Sequence, residues 1–369
     1  MMNNNPKTLE YLFQREIIAL EKSSLFDMPV EPKSIEFDYD KVEGMLLGLA
    51  IGDSLGNTSE SMVPSERKDV YGEIRDYLPN DYAEIEPVGV PSDDTQMAFW
   101  TLENLLDQNG FVPENLARVL SANQIFGIGN TVYRFVENMR SGVPWYKCGP
   151  QSNASGNGAL MRIAPILVPY LKQGGAGLWV DTALCAMMTH NDRTSTASCL
   201  AFVLMLWELL DKKEDPATTW WVNRFTEISG PLEGEVKLRP RGGANLHDFE
   251  GSLTEYCTEY VTKAVDEKKD YESVIDSWYS GAYLLETVPA ALLILSNFSH
   301  DPEEAIVRAV NDTRDNDTIA AIVGAAVGAL HGKSALPDRW VNNLTGRTKA
   351  SDDGKIFELI EKSKRKFWR

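Results

Sequence analysis

The chain has 369 residues, 43% of them hydrophobic, and a formal net charge of −18, with an isoelectric point near 4.7. That is enough apolar material for a large core. Such acidity argues against general phosphate-backbone binding, so no nucleic-acid partner is expected. Four scattered cysteines (Cys148, Cys185, Cys199 and Cys257) form no C-x-x-C pair, which disfavours zinc and thiol redox chemistry.

Met1–Pro6 is polar and lacks the apolar run of a signal peptide. The longest apolar stretch, Cys199–Trp207, is too short to span a bilayer. A soluble, cytoplasmic protein with no membrane partner is the expectation.

Residues 1–39 read as an N-terminal extension. Between Lys7 and Lys22, Leu9, Leu12, Phe13, Ile17 and Leu20 share one helical face, and Pro6 suits the first turn. An acidic connector containing Pro29 and Pro32 runs on to Tyr39. The extension either packs on its own core or forms an arm that docks on a partner.

Residues 40–369 read as one all-α domain. Gly44, Gly48, Gly52 and Gly56 recur every four residues, and Gly324, Gly328 and Gly332 repeat the device. Glycine costs about 1 kcal/mol relative to alanine inside a helix, so close backbone approach or a ligand is expected to compensate. Helices are predicted over 41–55, 95–107, 113–124, 128–139, 158–171, 178–189, 194–211, 252–267, 271–277, 283–296, 302–310 and 317–331. Residues 212–250, with Pro216, Pro231, Pro240 and Gly242-Gly243, read as a long loop or hairpin. The closing basic cluster (Lys362, Lys364, Arg365, Lys366 and Arg369) reads as a solvated final helical turn.

Two acidic clusters stand out, Ser92-Asp93-Asp94-Thr95 and Asp315-Asn316-Asp317-Thr318, each running into an apolar helical pattern. Carboxylates and hydroxyls so concentrated suit hard divalent cations, which take oxygen ligands. Three further polar patches border apolar helices. They are Gly52-Asp53-Ser54-Leu55-Gly56 with Glu60, Gly156-Asn157-Gly158 with Met161-Arg162, and Thr189-His190-Asn191.

Taken in order, the five patches resemble the ADP-ribosylglycohydrolase family (the dinitrogenase-reductase-activating glycohydrolase type) over roughly residues 41–335. The resemblance implies a single large orthogonal helical bundle with two Mg²⁺ or Mn²⁺ ions. It implies Ser92, Asp93, Asp94, Asp315, Asp317 and Thr318 as metal ligands. It also implies Gly156, Asn157, Gly158, Arg162, His190 and Tyr283 as substrate contacts, and Arg314, outside the family's pattern, is a further candidate contact. The activity implied is hydrolysis of the N-glycosidic bond of an ADP-ribosylated protein, with arginine the expected linkage. If a guanidine leaves, a carboxylic acid must protonate it, and Asp93, Asp94 and Glu60 are the candidates.

One departure is visible. Where the family places Gly-Gly before its late Asp-x-Asp, this chain has Thr313-Arg314, with Asn316 between the aspartates. Two other functions remain open at this level. Bacterial members of the family resembled here include immunity proteins, so residues 1–39 could block an ADP-ribosyltransferase toxin directly. Asp315-x-Asp317 also resembles the aspartate pair of metal-dependent haloacid-dehalogenase-type phosphohydrolases, a motif that needs a buried strand before it.

Overall fold

A computed structural model describes residues 4–150, 155–243 and 248–369. Among these residues the fold is all-α, with no strand and only isolated bridges. No described helix is long and apolar enough to cross a membrane.

Helix α1 spans Asn5–Gln14, shorter than the predicted 7–22 segment. The body follows with α2 (Asp40–Gly56), α3 (Pro64–Tyr71), α4 (Asp93–Gln108), α5 (Pro113–Ala122) and α6 (Asn130–Arg140). Next come α7 (Gly177–Thr189), α8 (Arg193–Leu209) and α9 (Trp220–Glu233). Helices α10 (Leu253–Tyr256) and α11 (Thr262–Asp266) flank a π-helical turn and lead to α12 (Tyr271–Ser277). The chain closes with α13 (Leu284–Phe298), α14 (Pro302–Asp312), α15 (Asn316–His331), α16 (Asp338–Asn343) and α17 (Lys355–Ser363).

The glycine stripe makes the centre of this bundle. A methyl group added at Gly48 would lie 2.1 Å from Gly324 O, and one at Gly44 2.5 Å from Gly328 O. At Gly52 it would meet Ala320 O at 2.1 Å, and at Gly56 the Cα of Asp317 at 2.5 Å. Helices α2 and α15 therefore run antiparallel with backbones touching along their length. This contact carries the C-terminal end of α2 to the N-terminal end of α15, where the late acidic cluster begins.

Two predicted elements differ. The 158–171 segment is not an α-helix but two 3₁₀ stretches, Leu160–Arg162 and Ala164–Tyr170. Pro165 and Pro169 lack the N–H groups that an α-ladder needs there. Conversely, the stretch read as loop, 212–250, contains the fourteen-residue helix α9, with a paired turn beyond it where Leu238 and Gly251 exchange backbone hydrogen bonds. Part of that turn lies outside the described residues. The basic C-terminus is also less solvated than expected, since Lys364 donates to Glu43 Oε1 at 2.5 Å and Lys366 to Leu106 O.

The described part of the 1–39 extension lies on the body. Leu9, Leu12, Ile18, Leu20, Leu25 and Val30 are buried. Asn5 donates to Phe111 O and Asp181 Oδ1. Asn191 clasps the turn after α1, donating to Ile17 O at 2.8 Å and accepting from Ala19 N at 2.9 Å. Lys33 sits over the Trp207 ring and donates to Trp207 O and Asp211.

Candidate active site

Both acidic clusters open helices. Asp93 and Asp94 form the first turn of α4, and Asp315 precedes α15, whose first turn holds Asp317. The N-terminal ends of helices favour negative charge. With the end of α2 and the Glu60 turn, they enclose a cleft of about 420 Å³. Of the residues picked out from sequence, Glu60, Asp93, Asp94, Asp315, Asp317 and Thr318 line it on one side. Gly156, Asn157, Gly158 and His190 line it on another.

The carboxylates fall into two overlapping groups. Ligand oxygens of Asp53, Asp94 and Asp317 lie within 4.8 Å of one another, as do those of Glu60, Asp315 and Asp317. Asp317 is common to both. Asp94 is buried, and its Oδ1 has no hydrogen-bond partner. A buried carboxylate oxygen without a donor needs a proton or a cation. All these carboxyls are held above the usual carboxylate range, first by loss of water and, except for Asp53, also by repulsion from neighbouring carboxylates. Asp93, Asp94 and Asp317 are pushed well up, and Asp315 reaches about 7 although Asn157 opposes the shift. The oxygen-rich donor set, the shared Asp317 and the orphaned Asp94 oxygen fit two hard divalent cations.

Asp53 serves differently. Its two oxygens accept from Ser92 N, Ser92 Oγ (2.6 Å), Thr95 N, Thr95 Oγ1 (2.5 Å) and Asn57 Nδ2. Those donors occupy much of its lone-pair capacity and fix the turn that presents Asp93 and Asp94. Ser92 gives its proton to Asp53 and keeps its own oxygen lone pairs available. Asp93 belongs to neither carboxylate group. It lies near Gly127, where an added methyl would be 3.3 Å from Asp93 Oδ1.

Asn157 joins the two walls, donating to Asp315 Oδ2 at 2.5 Å and to Thr287 Oγ1 at 2.9 Å. The flanking glycines leave room for His190, since a methyl at Gly158 would come within 2.9 Å of His190 Cε1. His190 is buried, and loss of water lowers its pKa to about 3, so the ring is neutral.

Three of the expected substrate contacts are placed elsewhere. Arg162 is buried behind the cleft, donating to Cys185 O and to Thr189 Oγ1 at 2.8 Å. An arginine only donates, so Thr189 Oγ1 accepts from it and directs its own proton to His190 Nδ1, 3.0 Å away. Arg162 thus acts through Thr189, leaving the His190 proton on Nε2. Tyr283 is 3% exposed, and the Arg241 guanidinium covers its ring at 3.9 Å. Arg241 and Ala282 form that part of the wall instead. Arg314 stacks on the Tyr279 ring at 4.4 Å, and its backbone N–H donates to Ser280. Its side chain does not line the cleft, so the departure from Gly-Gly does not narrow it.

Sequence reading missed Arg67, a fully buried residue of α3. It donates to Ser59 O and Met62 O on one side and to Asn311 O and Thr313 O on the other. One guanidinium therefore staples the Glu60 turn to the approach of Asp315. The polar sequence of α3 gave no periodicity to mark it.

Most of the chain is similar to known proteins. The family model described as ADP-ribosylglycohydrolase matches residues 34–366. The chain belongs to the ADP-ribosylglycohydrolase family. Members of this family are hydrolases of ADP-ribosylated substrates, and this chain is an enzyme of that class. ADP-ribosylarginine hydrolase Tri1 of Pseudomonas putida strain GB-1 is 28% identical over 320 residues, covering 83% of this chain and 74% of that one. ADP-ribosyl-[dinitrogen reductase] glycohydrolase of Rhodospirillum rubrum is 25% identical over 315 residues, covering 83% and 90%. A solved structure, "ADP-ribosylglycohydrolase-related protein complex", aligns with TM-score 0.61 and 25% identity, covering 89% of this chain and 97% of that one. The phosphohydrolase resemblance fails on local structure, because α14 and not a strand precedes Asp315.

Proposed function

We propose that the protein cleaves the N-glycosidic bond between ADP-ribose and an arginine side chain of a modified protein, with two Mg²⁺ or Mn²⁺ ions as cofactors. The observation that carries this reading is the double carboxylate group sharing Asp317, with Asp94 Oδ1 unpartnered. The 28%-identical relative named as an ADP-ribosylarginine hydrolase supports the arginine linkage.

Asp94, Asp315 and Asp317 would hold the ions, with Ser92 and Thr318 as neutral oxygen ligands. Bound ions would supply positive charge against the ribose hydroxyls and make a water more acidic. The remaining work belongs to the chain. Gly156–Gly158 and the neutral Nε2–H of His190 bind and orient the ADP-ribose. Asn157 keeps Asp315 in place. Glu60 reaches solvent, and burial together with Asp53 raises its pKa, so it holds a proton longer than an ordinary glutamate. Protonated Glu60 donates to the departing guanidine nitrogen as the C1–N bond breaks. Water adds to C1 and yields its proton to a neighbouring carboxylate, with Asp93 the free candidate. The products are ADP-ribose and unmodified arginine.

Leu9, Leu12, Ile18, Leu20, Leu25 and Val30 of the described 4–39 segment are buried on its own body, while Tyr11, Met28 and Ile35 stay exposed, and hydrolysis is the reading adopted. The test is incubation with arginine-ADP-ribosylated protein, following free ADP-ribose by chromatography. Release in Mg²⁺ or Mn²⁺ that stops with chelator is expected. No metal-dependent release would overturn the proposal for this linkage.

A further inference from the structure

Beyond Glu60 the cleft opens into a second hollow of about 480 Å³, and Glu60 and Gly127 line both spaces. Whatever reacts beside Glu60 must send the rest of its leaving group one way or the other. His190 and the Gly156–Gly158 turn line only the first space, and the second offers a polypeptide a path past Glu60.

Asn80, Asp81 and Tyr82, which open the loop 80–88, line this hollow. Asn80 is buried, accepts from Tyr82 N at 2.9 Å and donates to Thr58 Oγ1 at 2.9 Å, two residues before Glu60. The loop is thus built on the Glu60 turn. Glu84 (φ 53°) and Ile85 (φ 68°) are successive left-handed residues, and Ile85 N donates to Asn80 O. A β-branched residue seldom adopts that conformation, and such strain persists where something holds or uses it. The loop also exposes Tyr82 at 79% and Ile85 at 61%. Asp81, Glu84 and Glu86 are exposed around them. The hollow already accommodates one guanidinium of the chain itself. Arg347 lies 5.0 Å from the Tyr82 ring centroid and 4.2 Å from that of Phe126, donating to Pro91 O.

We propose that this hollow receives the modified arginine and its neighbouring residues, with the outer face of Tyr82 as the stacking platform and the loop carboxylates selecting basic flanks. The proposal rests on the hydrolase reading and extends it to the protein side of the bond. Planar guanidinium groups stack on aromatic faces. Rim carboxylates opposite basic residues speed encounter and make binding salt-sensitive.

The test uses Tyr82→Ala, whose exposed position leaves the fold intact, and Ile85→Gly, which relieves the left-handed strain and loosens the loop. For arginine-ADP-ribosylated protein, KM rises roughly fivefold in Tyr82→Ala, and rises in Ile85→Gly. Inhibition by free ADP-ribose, which fills only the first space, stays unchanged. An unchanged KM, or an equal shift in ADP-ribose inhibition, overturns the proposal. A second arm separates it from the hydrolase reading. An unmodified arginine-rich peptide, followed by fluorescence polarisation, binds the wild-type protein in a salt-sensitive way and binds Tyr82→Ala roughly fivefold more weakly. If ADP-ribose is never released but this binding difference appears, the hydrolase reading fails and the groove stands. If peptide binding is absent, or unaffected by the substitution, the groove fails.

Discussion

Gly56 and Asp317 are in backbone contact: a methyl group on Gly56 would sit 2.5 Å from both the Cα and the N of Asp317. Asp317, common to both carboxylate groups, is therefore placed by main-chain packing. Gly56→Ala pushes Asp317 away from its partners, and Gly52→Ala, whose methyl would lie 2.1 Å from Ala320 O, wedges the two helices apart farther from the cleft. Each costs on the order of 3 kcal/mol of stability. Only Gly56→Ala, once refolded at low temperature, weakens metal affinity in addition. Thermal melts and Mn²⁺ titration of both variants check this.

Arg67 ties the Glu60 turn to the Asp315 approach through four carbonyl oxygens. Arg67→Met strands those buried acceptors and costs about 3 kcal/mol. It also lets Glu60 and Asp315 drift, so kcat falls more than KM rises. Arg67→Lys restores part of the stability and less of kcat, because an ammonium cannot span both loops as the planar fork does. Denaturant unfolding and steady-state kinetics on the same preparations separate the two effects.

Without metal, the carboxylate cluster makes stability depend on pH. Asp93, Asp94, Asp315 and Asp317 have folded pKa values above their ordinary range, with Asp315 at about 7. Below about pH 4 these groups are protonated in both folded and unfolded chains, and their contribution is fully present. As pH rises the unfolded chain releases its protons first, so stability is lost, for Asp315 until about pH 7 is passed. In chelator, Tm contributed by this cluster falls from about pH 5 to pH 7.5, and excess Mg²⁺ raises Tm more at the higher pH. Scanning calorimetry at the two pH values, with and without Mg²⁺, measures both. A Tm gain from Mg²⁺ that shrinks as pH rises would contradict the assignment.

The Arg162–Thr189–His190 chain fixes which imidazole nitrogen carries the proton. Thr189→Val removes the hydrogen bond to Nδ1, worth about 1 kcal/mol. KM then rises roughly fivefold with kcat little changed. Because the His190 pKa lies near 3, no inflection in kcat/KM between pH 5 and 8 belongs to this residue. A His190→Gln variant that keeps the wild-type pH profile confirms that point.

Much of this was legible in the chain. Glycines every fourth residue announced the α2–α15 contact, and the doublets Asp93-Asp94 and Asp315/Asp317 announced the acidic cleft, because both depend on spacing along a helix. What spacing could not show was direction. Arg162 stands beside Gly-Asn-Gly in sequence, but Pro165 and Pro169 turn that segment into 3₁₀ helix and the guanidinium points behind the cleft. Tyr283 is near the cleft with its ring covered, because Arg241, from a stretch read as irregular, lies on it. Sequence left Asp53 open between a direct ligand and a structural partner of the acidic site, and the donors of Ser92, Thr95 and Asn57 around it favour the second. Arg67 left no trace, since a lone buried cation on a polar helix has no sequence signature.

Asp317 would contribute to both of the proposed cation sites. Equilibrium titration with Mn²⁺, read by electron paramagnetic resonance of the free ion, tests it most directly. The account predicts two bound ions per wild-type chain and loss of both in Asp317→Asn, with both retained in Glu60→Gln. A wild-type chain that binds no ion, or an Asp317→Asn variant that still binds two, would contradict it.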